Sequence, residues 1–119
     1  MATLLLVCCL SVADPAEVTV RAVDEAGLRV EVRCLLSPAE QARFAEGESI
    51  AARDARRLLV FRLRDAAAPL FGKYKRAGRW LVFTPRRPLV YGHRYAAVAP
   101  DRQSTAVLYT APPRPPTAA

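Results

Sequence analysis

The sequence predicts an all-β fold, an antiparallel β-sandwich of about seven strands with a short helical insertion. Three observations predict it. Apolar and polar residues alternate with period two in several short segments, which is the pattern of half-buried strands. Glycine, proline and aspartate separate these segments and indicate turns. Tyr95 follows Gly92 by three residues at the start of a strand, where its hydroxyl can bond back to the backbone of the preceding corner.

Two alternating segments open the domain. Residues 17–22 and 28–34 carry apolar side chains at every second position, and the turn-forming run 24–27 lies between them. These segments predict an antiparallel hairpin. Cys34 falls on the same parity as the apolar residues of its strand, which predicts a buried and inert thiol.

A helical insertion is predicted next, over about residues 38–56. Ser37 precedes a proline, the residue favoured at the first helical position, and Glu40 completes a capping box. This helix should end before Gly47. A second helical turn is predicted within residues 49–57.

The strand pattern resumes after the insertion. The predicted strands cover residues 58–64, 70–75, 79–84, 94–99 and 105–110. Gly78 can supply the positive φ of a tight hairpin turn, and Pro85 ends its strand because it has no N–H to donate to a ladder. The Pro-rich residues 111–119 predict a stiff linker towards a further domain, so the sandwich domain is predicted over residues 14–110.

The first residues have the pattern of a secretory signal. Residues 1–13 hold no charged side chain, and their apolar run is too short to span a bilayer. Small residues precede Asp14, as a cleavage site requires. We therefore predict a signal peptide and an extracytoplasmic protein that is secreted, periplasmic or at the cell surface. The alternatives are lipoprotein anchoring through Cys8 or Cys9, and a first strand of the domain at residues 4–13.

Residues 79–98, RWLVFTPRRPLVYGHRYAAV, resemble the closing half of bacterial Ig-like domains of S-layer and other secreted surface proteins. The positions that match the pattern are Phe83, Thr84, Pro85, Pro88, Leu89, Gly92 and Tyr95. The resemblance is looser over residues 17–110, and the insertion at 38–56 departs from it. It implies an immunoglobulin-like antiparallel sandwich whose structural corner is Gly92 and Tyr95. It also implies a spacer or binding module without shared catalytic residues.

The positive charge is concentrated in the second half of the chain. Residues 1–50 carry four arginines against eight carboxylates, net −4, whereas residues 51–119 carry 14 cations against three carboxylates, net +11. This asymmetry favours an acidic partner. A patch for an anionic ligand is predicted on the condition that the strands carrying its residues are neighbours. It would comprise Arg62, Arg64, Lys73, Lys75, Arg76, Arg79 and Trp80. A second cluster, near the corner, comprises Arg86, Arg87 and Arg94. Alternatively, these cations deter edge-to-edge aggregation and Trp80 belongs to the core.

The sequence offers no catalytic constellation. Its one histidine, His93, lies in the corner loop beside a cation, and the carboxylates are scattered without metal-ligand or phosphate-loop spacing. We therefore predict a protein that is not an enzyme and that uses no cofactor and no metal.

Two functions are compatible with these patterns. The first is a non-catalytic secreted or cell-surface Ig-like module, a structural spacer or adhesion domain whose partner is a further domain of the same polypeptide or a cell-surface component. The alternative is a basic binding protein for an anionic polysaccharide or another acidic polymer. Nucleic acid is not favoured as a partner, and no transmembrane span is predicted. An enzyme subdomain completed by a missing partner is a third class.

Overall fold

A computed structural model of the chain describes residues 17–102 and 106–116. The predicted signal peptide at residues 1–13 and the alternative strand at 4–13 lie outside the described residues, as do the last three residues of the predicted linker. The strands of the described part are β1 (Val18–Ala22), β2 (Val30–Leu35), β3 (Ser49–Ile50), β4 (Val60–Leu63), β5 (Gly72–Ala77), β6 (Trp80–Pro85), β7 (Arg94–Val98) and β8 (Val107–Thr110). The helices are α1 (Pro38–Arg43), α2 (Ala52–Ala55) and a 3₁₀ turn at Pro100–Arg102.

The strands form two antiparallel sheets. One sheet has five strands in the order β1-β2-β6-β5-β3, and the other has three strands in the order β4-β7-β8. Side chains of both sheets meet in one core, where the Phe61 ring of β4 lies 6.3 Å from the Phe83 ring of β6. The predicted mainly β architecture with two facing sheets is therefore confirmed.

The first hairpin forms as the alternation predicts. β1 and β2 pair with Val20 opposite Val32. The Asp24 carboxylate accepts hydrogen bonds from the backbone N–H groups of Leu28 and Arg29, which closes the turn. Alternate residues of β2 are buried, because they face the second sheet.

The insertion is only partly helical. Ser37 and Glu40 form the predicted capping box, with the Glu40 carboxylate accepting from the Ser37 N–H at 2.8 Å. Helix α1 ends at Arg43, before the predicted stop. The second predicted helical turn forms as α2, inside residues 49–57, but Ser49 and Ile50 at the start of that range form β3 against the edge of β5. The sequence signal for this strand is weak because two residues are too few to show alternation.

The hairpin of β5 and β6 turns at residues 78–79, slightly later than predicted. Gly78 adopts φ +61°, which the tight turn requires. At the other end of the hairpin, a Cβ on Gly72 would lie 2.3 Å from the carbonyl oxygen of Thr84. Only glycine allows the two strands to approach so closely at this position.

The corner between β6 and β7 is fixed by Tyr95. Its hydroxyl accepts a hydrogen bond from the Val90 N–H at 2.9 Å, which is the expected bond back to the corner. The start of the Pro-rich tail lies against the same corner. The Gly92 N–H donates to the carbonyl of Pro112 at 2.9 Å, and the Arg114 guanidinium lies 5.4 Å from the centre of the Tyr91 ring.

Candidate functional site

The predicted anionic-ligand patch is divided between the two sheets. Arg62 and Arg64 belong to β4 and the turn after it, and β4 pairs with β7. Lys73 and Lys75 belong to β5, which pairs with β6 and β3. The condition for a single patch, that these strands are neighbours, is therefore not met. A ligand that contacted both groups would have to reach from one sheet to the other.

Two arginines of the predicted patch hold backbone carbonyls. The Arg62 guanidinium donates to the carbonyls of Leu63, Arg64 and Ala66 at 2.8–3.2 Å and so orders the loop after β4. The Arg76 guanidinium donates to carbonyls at 2.7–3.0 Å, those of Gln41, Phe44 and Gly78. The first two belong to the end of α1, where carbonyls lack helical partners. These guanidinium groups have structural partners already.

The other cations of the predicted patch are more accessible. Arg64, Lys73, Lys75 and Arg79 are exposed, and none of them forms an ion pair with a carboxylate in the described part of the chain. Trp80 is partly buried, and the Arg33 guanidinium of β2 lies 5.7 Å from its ring centre. Trp80 thus already carries a cation–π contact on the five-stranded sheet.

A concavity of about 700 Å³ lies beside the start of β5 and the end of β6, with α2 along one side. Four cations line it: Arg29, Arg56, Lys73 and Arg86. No carboxylate belongs to its lining. We call this concavity the cationic pocket. Its cations come from four separate segments, so no spacing in the sequence could have predicted this pocket. Only Lys73 belongs to the patch predicted from the sequence.

Arg56 has an unusual environment in this pocket. Its Nε is buried and has no hydrogen-bond partner among the described residues. The hydroxyl of Tyr74 lies nearby and donates to the carbonyl of Leu59 at 2.9 Å. Burial raises the pKa of Tyr74, and the charge of Arg56 together with its side-chain hydrogen bond to Tyr74 opposes only part of that effect. The phenol therefore stays neutral and supplies no counter-charge to the guanidinium.

A second concavity, of about 400 Å³, adjoins the first. Its lining is mainly apolar and includes Leu63, Leu70, Phe71, Leu89 and Val90. Phe71, Pro85 and Arg86 line both concavities, so the two are contiguous. We call the second concavity the apolar pocket and the two together the trough. The trough contains two cations of the predicted second cluster, Arg86 and Arg87, whereas Arg94 lines an adjoining cleft that shares Leu63 and His93 with the apolar pocket.

Cys34 and His93 have no hydrogen bond to each other among the described residues. Cys34 is buried, as predicted, and burial raises the pKa of its thiol to about 11. Its Sγ contacts the carbonyl of Leu58. His93 is exposed in the corner, and its Nδ1 lies 3.2 Å from the Tyr91 carbonyl oxygen. Over residues 17–102 and 106–116, no three His, Cys, Asp or Glu side chains are grouped as metal ligands would be.

Comparison with protein-family models, with curated proteins and with solved structures finds no match to this chain. In the part of the chain that the structure describes, no helix has the length and apolar character needed to cross a membrane. The candidate site consists of exposed cations on the five-stranded sheet and of the trough, which has one cationic and one apolar half.

Proposed function

We propose that the chain is a non-catalytic Ig-like module of a secreted or cell-surface protein, where it acts as a spacer or adhesion domain. The strand order supports the Ig-like assignment. With the two-residue strand β3 left aside, the sheets run β1-β2-β6-β5 and β4-β7-β8. Constant-type immunoglobulin domains have the corresponding orders A-B-E-D and C-F-G. The hydrogen bond of Tyr95 at the start of β7, the equivalent of strand F, agrees with this assignment.

The path of the chain supports the spacer role, and this observation carries the proposal. β1 runs from Val18 towards the turn at residues 24–27. Beside that turn, the Tyr109 hydroxyl of β8 donates to the carbonyl of Gly27 at 2.7 Å. The chain thus passes from one end of the sandwich at β1 to the opposite end after β8. A module with this layout holds whatever precedes it apart from whatever follows it.

Export of a reporter tests the proposal. The full chain is fused through Ala119 to a phosphatase that folds to an active form only outside the bacterial cytoplasm. We expect phosphatase activity and a mature N-terminus at Asp14. The matched control lacks residues 2–13 and should leave the reporter inactive in the cytoplasm. A reporter that remains inactive with the full chain, although the fusion is expressed and folded, would contradict the secreted role.

The second candidate function is binding of an anionic polysaccharide or another acidic polymer. The observation that favours it is the accessibility of Lys73, Lys75 and Arg79, whose charges are not neutralised by a carboxylate of the described residues. Lys73 and Lys75 lie on one face of β5, because alternate residues of a strand point the same way. This face offers a row of cations to a polymer of repeated negative charge.

A further inference from the structure

We propose that the trough binds an acidic segment of a partner protein, in which carboxylates stand next to a large apolar side chain. The carboxylates would occupy the cationic pocket and the apolar side chain would occupy the apolar pocket. This inference goes beyond the spacer role and does not depend on export. The trough shares Lys73 with the proposed polymer-binding cations, but Arg29, Arg56, Arg86 and Phe71 belong to the trough alone, so variants at these residues separate the two kinds of binding.

The charges of the cationic pocket call for an anionic occupant. Its four cations line one concavity without a carboxylate in the lining, and none of the four forms an ion pair among the described residues. Guanidinium groups bind carboxylates through paired, charge-assisted hydrogen bonds. The Nε of Arg56 is buried and lacks a partner, which is costly for a charged donor. A carboxylate in the pocket would neutralise this excess of positive charge.

The apolar pocket accounts for the second part of the ligand. Phe71 is 73% exposed and Val90 is 52% exposed, although both are large apolar residues. They flank a concavity in which Leu63, Leu70 and Leu89 supply the apolar wall. Exposed apolar surface next to a pocket is typical of a binding site for an anchoring side chain. Because Phe71 and Arg86 line both pockets, one short segment can reach the two at once.

The lining favours a peptide over the other anionic ligands. Sugars need many neutral hydrogen-bonding groups, and of the trough's side chains only the Thr84 hydroxyl, the His93 ring and the Tyr95 phenol provide them. Single-stranded nucleic acid stacks on successive aromatic rings, whereas the described trough exposes one large apolar ring, that of Phe71, and the imidazole of His93. The volume of about 400 Å³ is at the small end of ligand pockets and suits one or two side chains better than a long lipid chain.

A defined peptide library tests the proposal. The probes are fluorescent, capped octapeptides that contain glutamates and one Phe, Leu or Trp, with these residues in every order. Fluorescence anisotropy measures the binding of each peptide to the full chain. Each has two matched peptides, one with Gln for Glu and one with Ala for the apolar residue. We expect a subset of acidic, apolar peptides to bind at least about tenfold more tightly than both matched peptides. If no peptide of the library binds more tightly than its two matched peptides, the proposal is wrong.

Three variants locate the binding. Arg86→Glu should weaken the best peptide by about tenfold or more, and Phe71→Ala by a similar factor while leaving the salt dependence unchanged. Arg79→Glu changes the net charge by the same amount as Arg86→Glu but lies at the distant turn of the β5–β6 hairpin, so it should bind the peptide like the wild type. Thermal melting verifies that each variant is folded. The proposal is wrong if Arg86→Glu and Arg79→Glu weaken peptide binding equally. It is also wrong if substitution of Arg86 and Phe71 weakens the binding of an oligonucleotide or a heparin fragment more than it weakens the binding of the peptide.

Discussion

Tyr95 joins two parts of the fold with different groups of one side chain. Its ring stacks on Phe61 of the neighbouring strand β4, with the centroids 5.5 Å apart. Its hydroxyl accepts the Val90 N–H at 2.9 Å in the segment that leads into the corner. The ring supplies apolar packing and the hydroxyl fixes the path of the loop, so the two contributions can be separated by removing the oxygen alone.

Tyr95→Phe should lower the free energy of unfolding by about 1 kcal/mol, because the Val90 N–H loses its acceptor while the ring remains. Urea unfolding of the purified domain measures the change. Tyr91→Phe is the matched control, since no hydrogen bond of the Tyr91 hydroxyl is formed among the described residues, and it should be close to wild type. Equal stability of Tyr95→Phe and wild type would show that the hydroxyl does not hold the corner.

At the scale of elements, α1 is a six-residue helix that depends on side chains from elsewhere in the chain. Helices this short are not stable alone in water. Ser37 and Glu40 cap its first turn, and the Arg76 guanidinium holds carbonyls at its end. Arg102, from the 3₁₀ turn after β7, forms an ion pair with the Glu40 carboxylate and donates to the carbonyl of Leu35. The helix is therefore tied to both sheets.

The Glu40 carboxylate should make this element sensitive to acid. Burial acts to raise the pKa of Glu40, but the Ser37 N–H and the Arg102 charge outweigh it, and the pKa is lowered below its usual 4.5. A lowered pKa stabilises the fold above the unfolded-state pKa, and this stabilisation is lost as the pH falls through the folded-state pKa. Glu40→Gln should therefore cost about 0.5–1 kcal/mol at pH 7 and progressively less towards pH 3.

Urea unfolding of wild type and Glu40→Gln between pH 7 and pH 3 measures this difference. Glu48→Gln is the control, because Glu48 is exposed and its side chain forms no ion pair within the described residues. The free energy of unfolding of Glu48→Gln should differ little from that of the wild type between pH 7 and pH 3. A difference for Glu40→Gln that stays constant over the whole pH range would contradict a role for the ionised carboxylate.

At the scale of the whole molecule, the sandwich arranges its charges unequally. The outer strand β1 and its neighbour β2 carry Glu31 between Arg21 and Arg33, which pair with it at 3.1 Å. Towards the other edge of the same sheet, Lys73 and Lys75 of β5 have no carboxylate partner in the described part. On this sheet, the charges left without a carboxylate partner among the described residues therefore include those of β5, next to the trough.

Retention on a heparin column tests whether the exposed cations of β5 bind an acidic polymer. We expect retention to fall steeply as the salt concentration rises, because binding to a polyanion releases its counterions. Lys75→Glu should weaken binding by about fivefold more than Arg21→Glu, which makes the same change of net charge on the opposite edge strand. Equal weakening in the two variants would mean that net charge alone, and not the surface of β5, governs retention.

Much of the element structure could be predicted because its causes are local. The alternation of residues 28–34 sets which side chains of β2 are buried, and the capping box of Ser37 and Glu40 starts α1 where expected. Strand β3 was missed since its two residues are held by pairing with β5 and not by their own pattern. The sequence could suggest one surface for the cations of β4 and β5 only on the condition that these strands are neighbours, because alternation gives the face of a strand but not the strand beside it.

The sequence by itself determined the strands other than β3, the capped helix, the buried Cys34 and the tyrosine that fixes the corner, since each depends on residues close together in the chain. Only the tertiary structure decided the order of the strands, the separation of Arg62 from Lys73 and the assembly of the trough. Arg29, Arg56 and Arg86 come from segments far apart in sequence and meet because the sheets pair and face each other. Long-range pairing is selected by the burial of all the apolar faces together, and no short stretch of residues contains that information.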